Sequence, residues 1–207
     1  MTDSNSSPAD TAELRERLAI IESMLTEGRS KTESWGWSFV VWGVAYYVAT
    51  AWATLGEAKF AWPITMLAAA AITSIGAFKT REHQAETTLS RAIGIIWMAM
   101  GCSLFVICIC VASSGHAEQH VFLAMIETAL GTANVTSGAL LRWRVQMLVG
   151  IAWWVAAAST CFASIPQTGY IFLGAIFVCQ ILFGIYMMVG EARQRRASAA
   201  RSGASHA

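Results

Sequence analysis

The sequence predicts an all-α polytopic membrane protein, with six transmembrane helices arranged as three antiparallel hairpins and preceded by a short amphipathic cytoplasmic helix. Three observations predict it. Of the 207 residues, 56% are hydrophobic and only 13% charged, with a mean hydropathy of +0.50, whereas a soluble domain carries about a quarter of its residues as Asp, Glu, Lys and Arg. Six apolar runs each approach the roughly 20 residues that cross a bilayer core at 1.5 Å per residue. Thirteen of the fourteen Lys and Arg residues fall in segments that alternate crossing puts on one side, the pattern of cytoplasmic loops. The composition also excludes a disordered chain and a collagenous or disulfide-framework fold.

Residues 1–34 form a cytoplasmic N-terminal segment. Within it Leu14, Leu18, Ile21 and Leu25 recur at spacings of 4, 3 and 4, one stripe of a helix over about residues 8–28. Ser7 is read as the N-cap, Pro8 as the first helical position, Asp10 as the first-turn acid and Gly28 as the stop. Glu13, Arg15, Glu16, Arg17 and Glu22 take the opposite face. Such a helix suits three uses: lying on the membrane, packing beneath the bundle, or pairing with a second copy or a cytoplasmic partner.

The spans fall at about 37–55, 60–78, 92–112, 121–141, 145–165 and 170–189, within a transmembrane domain of residues 35–190. The first run is too long for a signal-peptide core and lacks a small-residue cleavage site, so it is read as a retained helix. The cytoplasmic side holds the N-terminal cations, then Lys79, Arg81 and Arg91, then Arg142 and Arg144, then Arg193, Arg195, Arg196 and Arg201. Lys59 alone stands opposite, with Glu57, His116, Glu118, His120 and a Pro166-Gln167-Thr168-Gly169 turn. Both termini are therefore expected in the cytoplasm. Residues 191–207, rich in Ala and Ser after Arg196, are read as a disordered tail.

A glycine followed three residues later by an aromatic recurs in the odd-numbered spans, at Gly43 and Tyr46, Gly94 and Trp97, Gly150 and Trp153. The even-numbered spans reach their inner ends through Gly76, Gly138 and Gly184. The pattern is that of three hairpins of similar build.

Glu127 is the only charged residue inside a span, and such groups are costly and face the bundle interior. Spacings of 3 and 4 join His120, Ala124, Glu127, Gly131, Asn134 and Gly138 into one stripe of the fourth span. One reading is a polar path from a histidine-bearing mouth, with Glu127 relaying a proton or cation and Gln180 of the sixth span as its partner. The other is a close helix contact, with glycines admitting a neighbour and Asn134 and a protonated Glu127 bonding across it.

His116, Glu118 and His120 form an HxExH string. Two imidazoles one turn apart are weak metal or haem ligands without a third donor, and they also suit a wet interface or a pH sensor. No metal or other cofactor is implied. Cys102, Cys108, Cys110, Cys161 and Cys179 all sit in apolar runs without a CxxC pair, as small hydrophobes do. Trp35, Trp37, Trp62 and Trp143 mark span ends as an aromatic belt. Trp42, Trp97, Trp153 and Trp154 lie one or two turns inside.

Asp occurs only at Asp3 and Asp10, so the clustered carboxylates or helix-borne HExxH of intramembrane enzymes are missing. The Ser113-Ser114-Gly115-His116 run is no GxSxG elbow, and no nucleotide loop or nucleic-acid face is present. The chain is read as a non-enzyme, with an intramembrane enzyme as the remote alternative and the bilayer as its partner.

The stretch from Leu14 to Leu55 combines the Leu-x-x-x-Leu-x-x-Ile helix, Glu22-Ser23-Met24, Ser34-Trp35-Gly36-Trp37 and Val41-Trp42-Gly43-Val44. In this it resembles a group of bacterial six-span membrane proteins, without an assigned activity, that begin with a short cytoplasmic helix. The likeness covers the layout of most of the chain. It implies a bacterial inner-membrane location and brings no functional residue with it. Three functions are expected in descending order: a structural, regulatory or interaction module; a small transporter or channel through Glu127; and a haem- or metal-binding protein using His116 and His120.

Overall fold

The computed structural model describes residues 8–56, 60–81, 88–114 and 118–204. Ser7, Glu57, Lys59 and His116 lie outside the described residues. The elements are α1 (Pro8–Glu33), α2 (Gly36–Leu55), α3 (Ala61–Arg81), α4 (Thr88–Ser114), α5 (Gln119–Leu140), α6 (Arg144–Phe162), α7 (Ile165–Ile176), a π-helical segment (Phe177–Leu182) and α8 (Phe183–Ala204). The residues flanking the π segment keep right-handed helical dihedrals, so α7, the π segment and α8 are one helix with a single wide turn. Five to six helices are long and apolar enough to cross a membrane. The apolar part of the stretch Ala12–Leu55, α3, α4, α6 and the α7–α8 rod stand out by length and composition, and α5 matches them in length while carrying more polar residues.

The bundle is apolar outside and partly polar inside. Val44 and Val48 of α2, Leu67 and Ile75 of α3, Phe105 and Val106 of α4, Leu148 and Val155 of α6 are exposed. Glu127, Asn134, Ser137, Gln146, Thr160, Thr168 and Gln180 are buried. Water would reverse this arrangement, because it rewards burying apolar surface and penalises burying unpaired polar groups. α5 is the hub: it packs most extensively on α6 and also meets α4 and α7. α2 packs on α3, the π segment and α8.

Two clusters fill the interior. Tyr46, Leu123, Ile126, Leu130, Trp153, Phe172, Ile176 and Cys179 form one, with the Tyr46 and Phe172 rings edge to face at 5.6 Å. Phe39, Ile93, Leu141, Trp143, Phe183 and Met187 form the other. The second lies at the end where α1 stops, α4 starts and α5 turns into α6. There Gly28 meets Leu89 and Leu141, and Arg29 stacks over the Trp143 ring at 4.8 Å.

Several local expectations are corrected. α1 does not stop at Gly28 but continues to Glu33, because Gly28 is a contact point: a Cβ there would stand 2.9 Å from Leu89 Cδ2. Pro166-Gln167-Thr168-Gly169 is not a connecting turn but the opening of α7. The Gln167 side chain accepts from the Ser164 N–H at 3.0 Å, and proline is at home in a first helical turn. The segment from Glu191 continues α8 to Ala204 instead of being disordered, as its Ala and Arg content favours. Trp143 is no belt residue, since it is buried beneath Arg29.

The glycine and aromatic repeat marks a close contact in two of the three odd-numbered spans. Gly43 and Gly150 are close-contact points above buried Tyr46 and Trp153, whereas Gly94 has nothing within 4 Å of where a side chain would start. Gly76, Gly138 and Gly184 all sit against a neighbour, at Trp37, Met147 and Gly36.

Candidate functional site: the polar seam behind Glu127

α5 turns one face inward, and that face is the stripe of Ala124, Glu127, Gly131, Asn134 and Gly138, all buried. His120, at the start of the helix, is half exposed and stands 3.4 Å from Glu118. α6 lies against the stripe at backbone distance. A Cβ on Gly131 would fall 2.9 Å from Gly150 O and 2.4 Å from Trp154 Cδ1. A Cβ on Gly150 would fall 2.7 Å from Val135 N, and one on Gly138 2.7 Å from Met147 N. Small residues permit this approach in lipid, where van der Waals contact and interhelical hydrogen bonds replace the hydrophobic drive. The Trp154 Nε1–H donates to Thr128 O at 3.3 Å.

Glu127 is fully buried. The Thr160 hydroxyl of α6 stands beside its carboxyl, and Cys179 of the π segment lies within electrostatic reach. The contact falls short of ordinary hydrogen-bond geometry, so Thr160 is a loose polar neighbour of the carboxyl. Further along, the Asn134 Nδ2–H donates to Leu130 O at 2.9 Å while its Oδ1 is unpartnered. The Ser137 hydroxyl and both amide atoms of Gln146 are unpartnered too. The seam thus runs along α5 and α6 from Thr160 to Gln146. Buried polar groups of this kind are ordinarily met by internal water or by one another.

Gln180 sits on the π segment, buried, with its Oε1 unpartnered. It packs beside Gly43 of α2, whose Cβ would lie 3.3 Å from Gln180 Cβ and 2.6 Å from Ile181 Cγ1. An i to i+5 turn inside a long helix often marks a functional position. Among the described residues no group of three or more His, Cys, Asp or Glu is placed to hold a metal ion. Sequence reasoning passed over Thr160, Ser137 and Gln146; their signal was that they interrupt apolar runs on faces that helical spacing turns inward.

A second polar cluster closes the arginine-rich end. Arg29 Nε donates to Glu33 Oε1 at 3.1 Å, Gln194 Nε2 donates to Glu33 Oε2 at 2.9 Å, and the Ser30 hydroxyl donates to Gln194 Oε1 at 3.0 Å. This latch ties α1 to α8. Nothing local announces it, because its partners are 161 and 164 residues apart.

The fold and its inward polar groups define the class: an all-helical bundle with several helices built for a membrane. No protein-family model matches the chain, and no match to it was found among curated proteins or solved structures.

Proposed function

We propose that the chain is a multi-pass protein of a bacterial inner membrane. Its six long helices cross as three antiparallel hairpins, with both termini in the cytoplasm, and it works without chemistry of its own, as an interaction module whose α1 pairs with α1 of a second copy. The one-sided distribution of Lys and Arg supports the orientation.

The observation that carries the pairing is the free half of α1. Its C-terminal part is docked on α4 and α8, yet Leu14, Leu18 and Ile21 are 57%, 59% and 52% exposed. Their spacing is that of alternating core positions in a coiled coil. With Leu18 at a core position, Arg17 and Glu22 flank it as an opposite-charge pair between two parallel chains. Two such repeats pair weakly in solution, and confinement in one membrane supplies the effective concentration. The test is oxidative cross-linking in membranes. Leu18→Cys gives a covalent dimer well above the wild-type background, while Glu16→Cys, on the opposite face, does not. Equal yields from both positions refute the pairing.

A second reading is favoured by the full burial of the Glu127 carboxyl among other polar side chains: a proton or cation site within the seam. It requires that proton or cation flux into liposomes holding the purified protein falls to background in Glu127→Gln. Wild-type flux no higher than that of empty liposomes removes it.

A further inference from the structure

We propose that the groove between the end of α1 and α8 binds one anionic glycerophospholipid, with the phosphodiester at Arg193 and an acyl chain along α8. The groove is open to one side and has a volume of about 600 Å³. One wall comes from a single helical face that runs from the end of the π segment into α8: Leu182, Ile185, Tyr186 and Val189 are apolar or aromatic, and Arg193 follows Val189 by one turn. Arg29 and Glu33 of α1 and Gln194 of α8 complete the rim.

The dimensions fit a lipid. Leu182 to Arg193 spans about 16 Å at 1.5 Å per residue, close to the roughly 15 Å depth of one leaflet's hydrocarbon. An acyl chain therefore meets apolar wall along its length while its phosphate reaches the cations. The charge fits as well. Glu33 is engaged by Arg29 and Gln194, whereas Arg193 makes no ion pair with a described residue. The three charges sum to +1, the complement of a single phosphodiester. Basic pockets between helices at the cytoplasmic face are the places where anionic headgroups bind. The inference rests on α8 crossing the membrane with its arginines inside.

The full-length purified protein in nanodiscs tests it, with phosphatidylglycerol against phosphatidylcholine as probes and bound lipid counted by native mass spectrometry. Wild type retains one phosphatidylglycerol in preference to phosphatidylcholine. Arg193→Gln lowers that preference about fivefold, the worth of one interfacial cation, Arg193→Lys largely restores it, and Arg195→Gln, paired with Glu191 outside the groove, leaves it unchanged. Equal retention of the two lipids, or an unaltered preference in Arg193→Gln, overturns the proposal. Displacement of the lipid by millimolar glycerol phosphate identifies a soluble phosphate as the ligand and overturns it too. Extraction of the protein from membranes by alkaline carbonate would instead refute the membrane reading beneath it.

Discussion

α4 and α5 are sequential helices of similar length, and they invert each other. α4 is the most apolar of the long helices, and of its described side chains only Ile93 is buried. α5 carries Glu127, Thr128, Thr132, Asn134, Thr136 and Ser137 and buries ten residues. In water the more apolar helix would be the core and the more polar one its cover. Here the apolar helix faces outward and the polar helix is the hub. That exchange is what lipid imposes, because it makes apolar surface free to expose and polar groups costly to expose.

The comparison breaks most sharply at the glycines. Gly131 on α5 is closed in by Gly150 and Trp154, while Gly94 and Gly101 on α4 have nothing within 4 Å. Gly131→Leu forces α5 and α6 apart and is expected to cost about 3 kcal/mol or more, at the upper end of overpacking effects. Gly94→Leu is expected to be neutral or stabilising by up to about 1 kcal/mol, since glycine is a poor helix former. Unfolding of the purified variants in mixed micelles, followed by circular dichroism, measures both. Equal losses at the two positions would mean that α4 is covered in the purified protein, as by a second copy of the chain, and that the inversion between the two helices is only partial.

Much of this was legible because two periodicities act locally. Twenty apolar residues define a crossing helix whatever surrounds it, so the positions of α2 to α6 follow from composition. Spacings of 3 and 4 turn Glu127, Gly131, Asn134 and Gly138 to one side whatever neighbour fills it. Legibility fails where a residue has two physical uses. Gly28 serves as well for a helix end as for a close contact, and Leu89, 61 positions on, selects the contact. Pro166 fits a turn or a first helical turn, and the Ser164 and Gln167 pair selects the latter. The π segment has no local marker: Ile181 seated over Gly43 belongs to the packing of two helices distant in sequence. The latch of Glu33 with Gln194 is illegible for the same reason.

A small effect is also expected in the turn that makes α5 and α6 such close neighbours. Trp143 N–H donates to Gly138 O at 2.7 Å and Arg142 N–H to Ala139 O at 3.1 Å, the two bonds that close a helix through a left-handed residue. That residue is Arg142, with φ of 50°, where glycine is the usual occupant and a side chain costs roughly 1 kcal/mol. Arg142→Gly is therefore expected to stabilise the protein by about 1 kcal/mol, raising the thermal midpoint by about 2–4 °C for a chain of this size. Arg142→Ala removes the same charge but keeps the Cβ, so it is expected to bring no gain. If both substitutions stabilise equally, the relief comes from removing a cation at the arginine-rich end, and the backbone of the turn carries no strain. If only glycine does, the chain accepts a strained residue to hold two helices at glycine distance. The α5–α6 contact then draws on backbone strain as well as on small side chains, whereas the glycines of α4, Gly94 and Gly101, make no such contact.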